Sequence, residues 1–116
     1  MAQIDGWHTS AADAARAKLP EGRRSAEILC HGSLEVRWCA PQGSDPQTPH
    51  DRDEIYIVAS GHGMFVRGEE RVPCRANDLL FVPAKMVHRF EEFSADFATW
   101  VMFWGPMGGE RDNPFP

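Results

Sequence analysis

PHDRDEIYIVASGHG, residues 49–63, is the stretch on which the reading of this chain turns. Its centre is rich in β-branched and aromatic residues, and Pro49 and Gly61 bound it, which is the composition of a strand between turns. Side chains of an extended chain alternate between two faces. His50, Glu54, Tyr56 and Val58 therefore share one side, and Ile55 and Ile57 take the other. An imidazole and a carboxylate then face one interior at the start of a strand. A carboxylate placed there needs a partner, because an unpaired buried charge is costly.

A second stretch, NDLLFVPAKMVHRFEE at residues 77–92, offers that partner. Pro83 ends one strand, a short turn follows, and His88 enters the next. Two histidines and one glutamate suit a divalent transition metal such as Fe, Mn, Zn, Ni or Co, and leave coordination positions open. The expected metal ligands are thus His50, Glu54 and His88, with a metal-free network of hydrogen-bonded polar groups as the plainer alternative. Tyr56, on the ligand face, is a candidate proton donor and catalytic residue, against the simpler role of an ordinary strand residue.

Outward from these two stretches, the pattern continues. AEILC (26–30), LEVRWCA (34–40), MFVRG (64–68), ERVPC (70–74) and FATWVMFW (97–104) are short β-rich runs separated by Gly, Pro, Asn and Ser. With EIYIVAS, DLLFVP and VHRFEE they make eight strands at close spacing, which predicts an all-β sandwich or barrel. No helical pattern falls between them, so parallel βαβ units are excluded. SAADAARAKL (10–19) is the one helix candidate, opened by Ser10 with Asp13 three residues on and ended by Pro20 and Gly22. The expected organisation is an N-terminal arm with a short helix over 1–24, a barrel over 25–105, and an irregular, partly mobile tail over 106–116.

Composition narrows the class. The chain has 116 residues, enough for one core, and carries 12 Lys+Arg against 17 Asp+Glu for a net charge of -5. Its basic residues are scattered, with Arg23 and Arg24 the only adjacent pair, so the basic stripe of a nucleic-acid binder is missing. No run approaches the length of a membrane helix, and the start of the sequence does not read as a signal peptide. Cys30, Cys39 and Cys74 are odd in number and lack close spacing, so a disulfide framework is not expected. The expectation is a soluble, cytoplasmic protein without nucleic-acid or membrane partners.

The two stretches together resemble the paired motifs of the cupin superfamily, in its small one-domain form. Gly43, His50, Glu54 and Gly61 match the first motif, and Pro83 and His88 match the second. The first motif's leading histidine falls at Thr48, and the neighbouring Gln47 offers an amide oxygen in its place. Asn77 and Lys85 stand where the second motif has glycines, and Glu92 where it has asparagine. The resemblance covers about residues 25–105. It implies a cupin-type double-stranded β-helix, or jelly-roll barrel, with a metal inside. It leaves the chemistry open, because cupins include dioxygenases, isomerases, decarboxylases and non-catalytic binding domains.

Two functions follow as expectations. The first is a metal-binding cupin acting on a small organic molecule by dioxygenase-like or isomerase-like chemistry. The second is a non-catalytic barrel that binds a small ligand as a sensor. In the last strand Trp100, Met102 and Trp104 share one face while Thr99, Val101 and Phe103 share the other. Both faces are apolar, which fits a strand covered by a second subunit and so a homodimer. Trp38, Trp100 and Trp104 are read as core or pocket walls, the three cysteines as free thiols, and His8, His31 and His62 as loop residues. Lys85 stands near the barrel mouth, where it either attracts an anionic substrate or is simply solvated.

Overall fold

A computed structural model describes residues 7–21 and 23–111. After a short helix α1 (Ala11–Ala15), the chain forms β1 (Ala26–His31), β2 (Leu34–Cys39), β3 (Asp53–Ser60), β4 (His62–Arg67), β5 (Glu70–Arg75), β6 (Leu79–Val82), β7 (His88–Glu91) and β8 (Ala98–Trp104). The eight strands expected from the sequence are all present, each within about two residues of its expected bounds. They form a five-stranded sheet in the order β1-β2-β8-β3-β6 and a three-stranded sheet in the order β5-β4-β7, antiparallel throughout. This is the expected all-β jelly roll with a short N-terminal helix.

The core lies between the sheets. Tyr56, Val58 and Val101 of the larger sheet meet Phe65, Cys74 and Phe90 of the smaller, and Phe97 joins them. Phe90 has its ring 4.9 Å from Tyr56 and 4.8 Å from Phe97, centre to centre, within the range where aromatic pairs attract beyond their buried area. A second, smaller cluster sits on the outer face of the larger sheet. There Ala14 of α1 covers Ile28, Trp38 and Ala98, with Trp38 edge-on to Trp100 at 4.9 Å.

The helix is shorter than the 10–19 expected. Ser10 caps it by accepting the Asp13 N–H at 3.0 Å, as its position suggests, but the α-helix ends at Ala15. Lys18 and Leu19 are exposed and give the next turn nothing to pack on, and helices this short persist only on a packed face. The expected stop at Gly22 lies outside the described residues. Of the expected tail, 106–111 is irregular, while 112–116 lies outside the described residues.

Tight turns join the strands. Gly61 turns β3 into β4 at φ 75°, and a Cβ there would lie 2.8 Å from the Phe97 Cα and 2.5 Å from Ser94 Oγ. Three non-glycine residues among those described also hold positive φ: Asn77, Lys85 and Glu92. These are the three positions at which the second motif departs from its usual Gly, Gly and Asn. The motif's choice of those residues has a backbone cause, since Gly and Asn enter the left-handed region at least cost.

Candidate metal centre

Glu54 and Tyr56 lie on β3 with their side chains inside, and both are essentially without exposure. Alternation places them as expected, followed by Val58 deeper in the core. His50 precedes the strand, so alternation does not reach it. It comes in from the 41–52 loop, where its carbonyl accepts a 2.6 Å hydrogen bond from the Lys85 N–H. That bond ties the two motif segments together at backbone level. His88 opens β7, directly across from the site.

The structure brings His50, Glu54 and His88 together, with one potential ligand atom from each all within 4.8 Å of one another. Glu54 Oε1 is 2.9 Å from His88 Nε2 and 3.9 Å from His50 Nε2. Metal–ligand bonds of about 2.1 Å put two ligands at right angles about 3 Å apart, so the shorter separation is what a shared ion requires. His88 donates from Nδ1 to the Met86 carbonyl at 2.9 Å, which turns Nε2 toward Glu54. Both Glu54 oxygens are buried; Oε1 faces the two imidazoles, and Oε2 has no hydrogen-bond partner among the described residues. A buried carboxylate with one oxygen unpartnered, beside two imidazoles of which one is held in place from behind, is a donor set that suits a cation. The residues present therefore fit a divalent metal.

Gln47 takes part in the same cluster. Its Nε2 donates to Asp45 Oδ2 at 2.8 Å, so its Oε1 faces inward, 3.0 Å from the Tyr56 hydroxyl and 3.4 Å from His50 Nε2. Asp45 is itself buried and also accepts the Phe90 N–H at 2.8 Å. Of the two residues at the missing histidine, Gln47 is thus the one aimed into the site, and Thr48 is exposed. The Tyr56 hydroxyl is 3.1 Å from His88 Nε2 and stands between it and Gln47.

Electrostatics follow from burial. Burial, reinforced by the Glu54 charge, holds the Tyr56 phenol well above its usual pKa, so Tyr56 keeps its proton at neutral pH. Burial also pushes the His50 imidazole below its usual value, against the pull of Glu54. At His88 burial acts in the same sense, but the adjacent Glu54 and the Met86 carbonyl outweigh it and leave the pKa raised. Burial drives the Cys39 thiol up to about 12, so it lines the cavity as a neutral group and not as a nucleophile.

The centre opens into a cavity of about 410 Å³ with Val101, Phe103 and Met107 on its apolar wall. The cations lining it are arginines 23, 24, 37 and 52, and Lys85 is exposed elsewhere. The sequence reading missed Arg37. In LEVRWC the apolar Val36 and Trp38 look like the inward face, but the register pairs Arg37 with Val101 and Cys39 with Thr99, and those residues face inward. Val36 and Trp38 instead face α1. The signal lay in SAADAARA: an amphipathic helix must cover some sheet face. His8, His31 and His62 are exposed; His31 ends β1 and His62 begins β4, so neither is the loop residue expected. All three cysteines are free, as expected.

Comparison with known proteins agrees with this fold. The family described as "Cupin domain" matches residues 39–104. An uncharacterized protein of Streptomyces coelicolor is 35% identical over 63 residues, which is 54% of this chain and 60% of the relative's own length. A Cupin 2 conserved barrel domain protein from Salinispora arenicola superposes with a TM-score of 0.65 at 22% identity, over 87% of this chain and 91% of that one. An uncharacterized conserved protein with a double-stranded beta-helix domain from Klebsiella pneumoniae gives a TM-score of 0.69 at 14% identity, over 86% and 90%. At these identities the structural likenesses speak to the fold.

Proposed function

The chain belongs to the cupin domain family, and from that premise we propose that it holds one divalent transition metal through His50, Glu54 and His88 and acts with it on a small organic molecule. The observation that carries this reading is the convergence of one potential ligand atom from each of His50, Glu54 and His88 within 4.8 Å, with the buried Glu54 Oε2 left unpartnered. Gln47, with its amide turned by Asp45, supplies an oxygen as a fourth ligand in place of the absent histidine. Bound there, such an ion supplies Lewis-acid or redox chemistry to a molecule entering from the cavity.

The chain's own residues supply the rest. Glu54 and the two imidazoles leave the cavity side open. Tyr56, protonated at neutral pH and 3.1 Å from His88 Nε2, donates a proton at its hydroxyl to a molecule held at the centre. The aromatic core beneath, with Phe65, Phe90 and Phe97 all buried, excludes water from that side.

Metal titration tests the reading. Purified protein is expected to take up one equivalent of Mn, Fe, Zn or Ni. Glu54→Gln and His88→Ala should each weaken uptake by about 100-fold or more, since loss of an outer partner alone commonly costs 10–100-fold. Uptake by the wild type no tighter than by these variants would remove the metal centre. Turnover separates the catalytic from the sensor reading. A Tyr56→Phe variant of an enzyme binds metal and ligand but loses rate, whereas a sensor shows no turnover to lose.

A further inference from the structure

We propose that the wider part of the cavity seats the carboxylate end of a small organic anion, held by Arg24, Arg37 and Arg52. The proposal rests on the metal reading only for where the molecule's other end lies.

Arg37 is the first observation. It is a guanidinium on the inner face of β2, 5% exposed, and it lines the cavity. Its Nε donates to Ser25 Oγ at 2.6 Å, its NH1 to Glu35 Oε2 at 2.6 Å and its NH2 to the Ser25 carbonyl at 2.8 Å. A guanidinium has five N–H groups, so one remains on each terminal nitrogen; NH1 also has Glu27 Oε1 3.9 Å away, beyond hydrogen-bond reach, and the second N–H of NH2 has no hydrogen bond among the described residues. A buried donor left unmade is expensive, which argues for an acceptor that arrives from the cavity.

Charge is the second observation. Glu35 does not neutralise its surroundings, because its other oxygen is taken by Arg52 NH2 at 2.7 Å. One carboxylate therefore lies between two guanidiniums. Arg23 and Arg24 line the same cavity, are exposed, and form no ion pair with any described residue. Four guanidiniums line the cavity with Glu35, Asp51 and Glu54, and Glu27 stands 3.9 Å from Arg37 outside it, in a chain whose net charge is -5. Two cations free of ion pairs among the described residues, Arg23 and Arg24, thus line the cavity beside the centre.

Shape sets the class. The guanidinium fork matches the two oxygens of a carboxylate. The volume of about 410 Å³ is at the small end of ligand pockets. Val101, Phe103 and Met107 offer an apolar wall, so the anion carries a hydrocarbon body. Its charged end meets the arginines, and its body spans toward Glu54 and the histidines.

Calorimetric titration tests the seat. The probes are propanoate, hexanoate and benzoate, their neutral amides, and inorganic phosphate, each added to the full chain with and without Mn²⁺. At least one carboxylate is expected to bind about tenfold or more tighter than its amide, the worth of one charge-assisted contact. Arg24→Gln, at an exposed position that leaves the fold intact, should reduce that preference several-fold, while Lys18→Gln leaves it unchanged. Equal binding of every acid and its amide overturns the proposal. So does a preference untouched by both Arg24→Gln and Arg52→Gln, or binding of phosphate without any carboxylate. Carboxylate preference in protein that takes up none of Mn, Fe, Zn or Ni would keep the seat and remove the metal reading. Mn²⁺ uptake without carboxylate preference would do the reverse.

Discussion

Lys85 shows what a single residue contributes here. Its φ of 71° is a conformation that costs an L-residue about 1–2 kcal/mol, whereas glycine enters it freely. Its side chain is exposed, so the useful part is the backbone N–H that holds the His50 carbonyl. Lys85→Gly should therefore raise stability by about 0.5–1 kcal/mol after glycine's greater unfolded-state entropy is subtracted. Urea unfolding reads this directly, and a variant no more stable than the parent would contradict the strain assigned to the turn. Residues of this kind also mark how far the sequence could be read. Glu54 and Tyr56 were legible because strand alternation points both inward from neighbouring positions. His88 was legible because a proline-ended strand precedes it. The inward aim of Gln47 was not, because it depends on Asp45, a buried carboxylate that a loop sequence does not reveal.

At the level of elements, the β3–β4 hairpin is held by close approach and not by side-chain burial alone. Gly61 turns against the 94–97 segment, where Ser94 accepts the His62 N–H at 3.0 Å and Ser60 donates to the Asp96 carbonyl at 2.6 Å. Gly61→Ala should cost about 2–4 kcal/mol, combining the left-handed penalty with the clash against the Phe97 backbone. Thermal unfolding measures this, and a loss below about 1 kcal/mol would mean that the 94–97 segment yields easily. The strands themselves were legible almost to their ends, since alternation and turn residues are local. The assignment of the two faces of β2 was not legible. Hydrophobicity alone would favour Val36 and Trp38 as the inner face, whereas in the structure they pack with α1. That leaves Arg37 facing the cavity.

Over the whole molecule, α1 covers one part of the larger sheet's outer face and leaves the rest. Leu79 and Phe81 of β6 are 59% and 44% exposed, and the register sets them beside Ile57 and Ile55 of β3, then Trp100 and Met102 of β8. This is a continuous apolar band of the kind that monomers seldom leave bare. Two copies pairing through it in twofold symmetry would cover it on both. Light scattering should then give about twice 13.0 kDa, and Phe81→Glu should return the mass to one chain. A wild-type mass of 13.0 kDa would set this aside. No described helix is long and apolar enough to cross a membrane.

The packing of Phe65, Phe90 and Phe97 beneath Tyr56 also governs traffic. With that end of the barrel stoppered by aromatic rings, whatever reaches the centre has one doorway for arrival and departure. Occupants must succeed one another instead of passing through. On the function proposed above, a spent molecule that lingers would bar its successor.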